Sequence, residues 1–486
     1  MVQAINTIMD QAQEAFLAYQ RTNGQDKRVF LYTIAEEIEA LGDELLATAA
    51  SETNLPFARF KGERDRTCGQ LRSFGDLIGA GDWVEAVIDH ALVDRRPLPR
   101  PDMRKMLVGL GPIVVFGASN FPLAYSTAGG DTASALAAGC SVVVKGHPFH
   151  PKTSALVASA ISNAVVKCNL HPFVFQHIQS SDFEVGKLLT QHPHTAGVGF
   201  TGSLVGGRAI FDYAQQRAKP IPVFSEMGST NPVILLPDAL ITKAEYFAKA
   251  FAGSITIGVG QFCTNPGIML GVKGAELDIF MQHLATELSL KPSFKMLHDG
   301  IHKNYISKLD EALSQKGVQL LYHAQNSGDL IASQALAMVD GQDFINNPSL
   351  HHEIFGPFSI IVTCEDMAQL VAAWQSLHGQ LTTTFIATNH DMSQYPNLMQ
   401  TAIQLAGRVV FNYVPTGVEV SNATVHGGPY PATTDSRFTS VGMDAIKRWV
   451  RPVCFQDCPD FLLPDELKDS NPLGILRKID GKYGWN

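Results

Sequence analysis

The sequence is short of charge. Only 17% of its 486 residues are Asp, Glu, Lys or Arg, and the 37 basic against 46 acidic side chains leave a net charge of −9 with no long basic run. The electrostatic footprint of a nucleic-acid binder is missing, so no nucleic-acid partner is expected. Cysteine is thin as well: seven residues, at 68, 140, 168, 263, 364, 454 and 458, an odd number with no C-x-x-C pair. That weighs against a disulfide framework and points to free thiols in a reducing compartment, the cytoplasm. No uncharged apolar run approaches the roughly 18 residues needed to cross a bilayer, and no membrane insertion is expected. The first residues, Met1 to Tyr19, carry Asp10 and Glu14 at helical spacing among apolar residues and lack a basic stretch before an apolar core, which is not a signal-peptide pattern. Internal repeats and low-complexity tracts are also missing.

What is present is apolar volume, 45% of the residues, enough for two or three domains at roughly 150 residues each. Residues 1 to about 95 read mostly as helices, with apolar positions three and four apart from Ala15 to Tyr19 and again through Val29, Leu31, Ile34, Ile38 and Leu41. From Leu107 the period changes. Short runs at 113–116, 141–144, 173–178, 196–200 and 221–224 read as strands, with helices near 126–138, 153–166, 183–191 and 206–218 between them. That alternation predicts a parallel sheet covered on both faces. A second α/β series follows Asn231, with strands at 232–236, 267–272, 358–362, 384–387 and 408–411. Glycine and proline then cluster from Tyr413 to Ser440, one late strand runs from Trp449 to Gln456, and the tail from Pro459 is polar.

Five segments at element ends can carry chemistry. Cys263, in Gly260-Gln261-Phe262-Cys263-Thr264-Asn265, sits at a helix-to-strand junction where backbone dipoles lower a thiol pKa; a small buried side chain is equally open there. Glu226 follows the strand ending at Phe224, and carboxyl ends of parallel strands are where ligand crevices lie, so it is placed for a general base or, alternatively, for a cap. Phe200 to Arg208 runs from strand through Gly202, Ser203, Gly206 and Gly207 into a helix, a layout that turns backbone N–H groups toward a phosphate, although its spacing is not G-x-G-x-x-G. Asn120 precedes Phe121-Pro122, and the proline holds the backbone before it extended. Glu353 and Phe355, in His352-Glu353-Ile354-Phe355-Gly356-Pro357, either face a ligand or simply start a strand. His192-Pro193-His194 reads as a solvated loop, and no metal site is expected.

Taken together, N-F-P-L, F-T-G-S with a later glycine, E-x-G, G-Q-x-C and E-I-F-G-P resemble the aldehyde dehydrogenase superfamily in order and spacing over about residues 10–458. The resemblance implies an α/β fold of two open domains with parallel sheets: a dinucleotide-binding domain (1–90 and 112–228), a catalytic domain (229–445), an oligomerisation arm (91–111 and 446–458) and a C-terminal tail (459–486). It implies Cys263 as nucleophile, Asn120 with the Cys263 N–H as oxyanion hole, and Glu226 as the base that activates water. Glu353 and Phe355 are implied at the nicotinamide end of the cofactor, Lys145 at the adenosine ribose, and Gly202, Ser203, Gly207 and Arg208 near the phosphates. A homodimer or homotetramer is implied as well.

The sequence departs from the family's P-F-G-G-x-K-x-S-G segment, having His426-Gly427-Gly428-Pro429-Tyr430 instead. With Arg66-Thr67-Cys68-Gly69-Gln70-Leu71-Arg72 this resembles the branch of α-ketoglutaric semialdehyde dehydrogenases and NADP-dependent bacterial fatty aldehyde dehydrogenases. Arg66, Gln70 and Ser73 share one face of a helix, where Arg66 meets a substrate carboxylate or else sits with Arg72 in solvent. The expected substrate is α-ketoglutaric semialdehyde, with a fatty or broad-range aldehyde as the alternative and a cysteine-dependent thiol hydrolase as a remote one. That hydrolase wants a histidine base, and the sequence marks none of its 16 histidines as one. A coenzyme-A-acylating enzyme has no use for Glu226. Pro148 stands where NAD-preferring members carry a glutamate three residues after the strand-end lysine, so NADP is the expected cofactor, with NAD also open.

Overall fold

The computed structural model describes residues 1–325 and 328–485. The chain begins with helices α1 (Val2–Tyr19), α2 (Gly24–Ala40), α3 (Gly42–Thr53) and α4 (Phe57–Ala80). Asn23 caps α2 by accepting from the Asp26 N–H, and α4 stops at Gly81, whose φ of 79° is left-handed. The inward face of α4 carries Phe60, Leu71, Phe74 and Ile78 but also Glu63, Thr67 and Gln70. Burying each large apolar side chain contributes about 1.5–3 kcal/mol; of the polar ones, Thr67 donates to the Glu63 carbonyl, Glu63 finds its partners in the site below, and Gln70 Nε2 has none among the described residues.

Five parallel strands form the first sheet, in the order Phe175–Gln179, Val142–Gly146, Ile113–Phe116, Gly197–Thr201, Val223–Glu226. Alternate residues point to opposite faces: Val115, Val142 and Val144 pack with α2 to α4, whereas Val114, Val143 and Val198 pack with Ile5 and Met9 of α1. The strand order reverses between Ile113–Phe116 and Gly197–Thr201, and a crevice is expected beyond the carboxyl ends at such a point. Lys145, the Asn120 loop, the Gly202 turn and Glu226 all stand at those ends. Glu226 is the last residue of its strand, paired with Thr201 and bridged to Thr433, rather than a loop residue after a strand ending at Phe224.

The second sheet has seven strands, in the order Gln319–His323, Ala335–Asp340, Phe358–Cys364, Ile268–Val272, Val233–Leu235, Gln380–Ile386, Ala406–Phe411. All are parallel except the antiparallel edge Gln319–His323. A third, mixed sheet joins Val450–Gln456, Met103–Gly109, Val87–Asp89, Arg477–Ile479 and Lys482–Gly484. The tail is therefore structured: its hairpin extends the sheet built on the 103–109 and 450–456 strands, and Asp480 pairs with His90 at 2.7 Å and Arg100 at 2.9 Å. No helix among the described residues is long and apolar enough to cross a membrane.

Candidate active site

Cys263 follows three consecutive left-handed residues, Gly258, Val259 and Gly260, with φ of 55°, 61° and 65°. A Cβ on Gly260 would run into the Gly356 carbonyl, so this turn needs glycine there. Val259 is β-branched and buried, and holding it in that region costs on the order of 1–3 kcal/mol. The loop is fixed from the other side by Asn231, which has no solvent exposure; its Nδ2 donates to the carbonyls of Cys263 at 2.8 Å and Asn265 at 2.9 Å. The cysteine is thus held through its backbone carbonyl by the Asn231 side chain, leaving its sulfur to the crevice.

Two buried groups face that sulfur. His426 Nε2 lies 3.5 Å from Cys263 Sγ and 2.9 Å from Glu226 Oε1. The Glu226 carboxylate also accepts from the Cys263 thiol and, at 3.3 Å, from Ser440 Oγ. His426 is set in place by its backbone: its N–H donates to Thr439 Oγ1 at 2.8 Å and its carbonyl accepts from Ser440. Burial pushes the Glu226 pKa up, but the His426 imidazole and the hydrogen bonds from His426, Cys263 and Ser440 bring it below the usual carboxylate value. Burial, then the Glu226 charge, push the Cys263 thiol well up, so the sulfur rests protonated beside the Glu226 carboxylate.

Around this centre α4 supplies a second layer. Arg59 Nη2 donates to the Asn120 carbonyl at 2.5 Å, and Glu63 Oε1 accepts from the backbone N–H groups of Leu123 and Ala124. The Asn120 loop is thereby tied to the helix, and Asn120 Nδ2 reaches the carbonyl of Gln261, two residues before the cysteine, at 3.0 Å. Arg59 also stacks over Phe121 and Phe262. Arg66 is half-buried, donating to the Val418 carbonyl at 2.6 Å and to Tyr125 Oη at 3.2 Å. Arg408 holds the carbonyls of Pro415 and Gly417, and its charge acts on both Cys263 and Tyr125. Gln70 is buried, with no hydrogen-bond partner for Nε2 among the described residues. Arg72 faces away and pairs bidentately with Glu39 at 2.7 Å.

The match to known proteins decides the class. Residues 2–429 match the model of the aldehyde dehydrogenase family. The chain belongs to the aldehyde dehydrogenase family. It is 48% identical over 479 residues to the alpha-ketoglutaric semialdehyde dehydrogenase of Acinetobacter baylyi, covering 98% of this chain and 90% of that protein. It is 48% identical over 474 residues to alpha-ketoglutaric semialdehyde dehydrogenase 2 of Azospirillum brasilense, covering 97% and 90%. Its fold superposes on that of a glyceraldehyde-3-phosphate dehydrogenase from Methanocaldococcus jannaschii complexed with NADP, with a TM-score of 0.78 at 18% identity over 94% of each chain. Aldehyde dehydrogenases oxidise aldehydes with NAD(P).

The dinucleotide face of this aldehyde dehydrogenase fits such a cofactor. Ser203 caps the helix Leu204–Gln215, and a Cβ on Gly207 would meet Met227 at 2.7 Å, so the helix packs close and its first turn opens on the crevice. Two apolar side chains there, Leu204 and Val205, stand 38% and 81% exposed, surface that a bound base would cover. Lys145 Nζ donates to the Ser180 carbonyl at 2.7 Å, and burial lowers its pKa. Arg208 pairs with Asp212 at 2.9 Å. Glu353 packs against Gly228, accepts from the Ser229 N–H, and is pushed by burial up to about 7; Phe355 is half-buried.

Sequence reasoning missed several members of the site, His426, Asn231 and Arg408 among them. His426 stands where the family pattern has the phenylalanine before its paired glycines, and that exchange was the available signal. Asn231, just ahead of the second α/β series, carried nothing to mark it. His192, read as solvated, is 9% exposed and accepts the His194 N–H at 3.2 Å.

Proposed function

We propose that this enzyme oxidises a short aldehyde bearing a distal carboxylate, α-ketoglutaric semialdehyde before others, through a thioester on Cys263, using NADP at least as well as NAD. The observation that carries the substrate reading is the pair Arg66 and Arg408, both tied to the 415–418 segment and both acting on Tyr125. A carboxylate satisfies such guanidinium groups, whereas an alkyl chain leaves them half-buried without a counter-charge. The names of the two 48%-identical relatives support the same reading. Gln70, one turn along α4 from Arg66, offers its unpaired amide N–H to the same ligand.

In this mechanism Glu226 takes the Cys263 proton as sulfur bonds to the aldehyde carbon. The resulting alkoxide accepts from the Cys263 N–H and from Asn120, which has one amide hydrogen on Gln261 and one to spare. NADP, when bound, supplies the hydride acceptor; Lys145, Gly202, Ser203, Gly207, Arg208, Glu353 and Phe355 would hold it. Glu226, its first proton passed to solvent, draws a proton from the water that opens the thioester. His426 is a positioning residue that keeps Glu226 ionised. Pro148, exposed beyond Lys145, brings no negative charge against a 2′-phosphate.

The same reading keeps a dinucleotide-binding domain, a catalytic domain and an oligomerisation arm, with the arm's sheet also taking in Val87–Asp89 and the C-terminal hairpin. Its edges suit a homodimer or homotetramer, which light scattering would weigh directly. The substrate reading is tested with Arg66→Ala and Arg408→Leu, measured on α-ketoglutaric semialdehyde and on pentanal. The carboxylated substrate should lose roughly 10–100-fold in kcat/KM, about 1.4–2.8 kcal/mol, while pentanal changes little. An unchanged ratio of the two contradicts it.

A further inference from the structure

We propose that Cys263, Glu226 and His426 form a binding site for one zinc-class divalent cation, which blocks the enzyme reversibly. Their ligand atoms all lie within 4.8 Å of one another. A tetrahedral zinc ion, with Zn–S of about 2.3 Å and Zn–N of about 2.0 Å, sets sulfur and nitrogen about 3.5 Å apart. His426 Nε2 and Cys263 Sγ are already 3.5 Å apart. The carboxylate needs only a small adjustment, because Nε2 and Oε1 stand at 2.9 Å against about 3.3 Å across a zinc ion. The side chains start close to the arrangement that the cation requires.

The donor set selects the metal. Thiolate, imidazole and carboxylate together suit zinc or cobalt and not magnesium or calcium, which take oxygen. Three protein ligands leave the fourth position for water or solute on the open side of the sulfur, as in open zinc sites. The cation binds the thiolate, and the thiol proton leaves to the buffer; nothing is oxidised or reduced. With Cys263 and Glu226 both ionised, their two negative charges cancel the cation's two positive ones, which suits a pocket where Glu226 and His426 are 3% and 1% exposed. Ser440 on Glu226, Thr439 on the His426 backbone and Asn231 on the Cys263 backbone hold the three ligands in place. With Nε2 on the metal, the ring proton sits on Nδ1, which has no partner among the described residues, and that limits affinity and keeps the block reversible. The sequence held no sign of this site, since Cys263 and His426 are 163 residues apart.

The test titrates Co2+ into the full chain without aldehyde or dinucleotide, following the thiolate-to-cobalt charge-transfer band and the visible bands of tetrahedral cobalt. One cobalt per chain is expected, displaced by Zn2+ and removed by EDTA, with Zn2+ also shielding Cys263 from alkylation. The bands should vanish in Cys263→Ser, weaken at least tenfold in affinity in His426→Gln, and persist in Cys454→Ser/Cys458→Ser; circular dichroism verifies that each variant is folded. No thiolate band, a band unchanged in His426→Gln, or one lost only with the two C-terminal cysteines overturns the proposal. Because no aldehyde is present, failure here leaves the substrate reading untouched.

Discussion

His426 Nε2 and Glu226 Oε1 are 2.9 Å apart, with 1% and 2% of their side-chain surfaces exposed. A carboxylate this deeply buried is pushed toward its neutral form, and here the histidine, with hydrogen bonds from His426, Cys263 and Ser440, reverses the push. The resting enzyme therefore has an ionised Glu226 against a protonated Cys263 thiol.

Removing the imidazole should expose the effect of burial. In His426→Ala the acid limb of the kcat/KM profile should move up by at least one pH unit, and His426→Gln, which keeps a hydrogen-bond donor, should restore part of it. An acid limb that stays put in both variants contradicts the positioning role.

Asn231→Ala should loosen the nucleophile loop. It deletes both donations to the Cys263 and Asn265 carbonyls in a fully buried place, a loss of about 1–3 kcal/mol. Denaturant unfolding reads the stability, and kcat should fall more than KM rises. A variant as stable and as fast as wild type would show that the loop holds itself.

Glu353 gives stability an unusual pH slope. Its folded pKa of about 7 lies above the unfolded carboxylate value, about 4.3. Between those two pH values the unfolded chain has released the proton that the folded one keeps, so this group lowers stability as pH rises through that window. Glu353→Gln should therefore lose less Tm than wild type between pH 5 and pH 8, measured without dinucleotide. Parallel curves would place the carboxylate in ordinary surroundings.

On the proposed reading, cofactor choice turns on Pro148. Pro148→Glu puts a carboxylate near Lys145 and should lower the ratio of kcat/KM for NADP over NAD at least tenfold, about 1.4 kcal/mol. Strong NAD selectivity in the wild type, or an unmoved ratio, contradicts the reading.

Much of this was legible where local pattern and position coincide. The helix at 183–191 and the strand at 113–116 match the structure to the residue, because each has a clear period and a turn at its end. The strands Gln319–His323 and Ala335–Asp340 were not foreseen: the first is a partly exposed edge, and the second, Ala-Leu-Ala-Met-Val, is buried too continuously to alternate. The tail hairpin escaped because its pairing partner, Val87–Asp89, lies at the far end of the chain. Cys263 and Glu226 could be named from short motifs at element ends. His426 was marked only by its exchange for the family's phenylalanine, since its role depends on a segment with little periodicity folding back over the first sheet.

On the proposed mechanism Cys263 carries the acyl group, and Glu226 is needed to release it. The direct measurement is peptide mass spectrometry of Glu226→Gln, mixed with NADP and α-ketoglutaric semialdehyde and quenched in acid. Expected is an acyl increment on the peptide containing Cys263, formed along with reduced cofactor more slowly than in the wild type because the thiol has lost its base, persisting because release is slower still, and absent from Cys263→Ala. Reduced cofactor with no adduct, or an adduct on another residue, would contradict it.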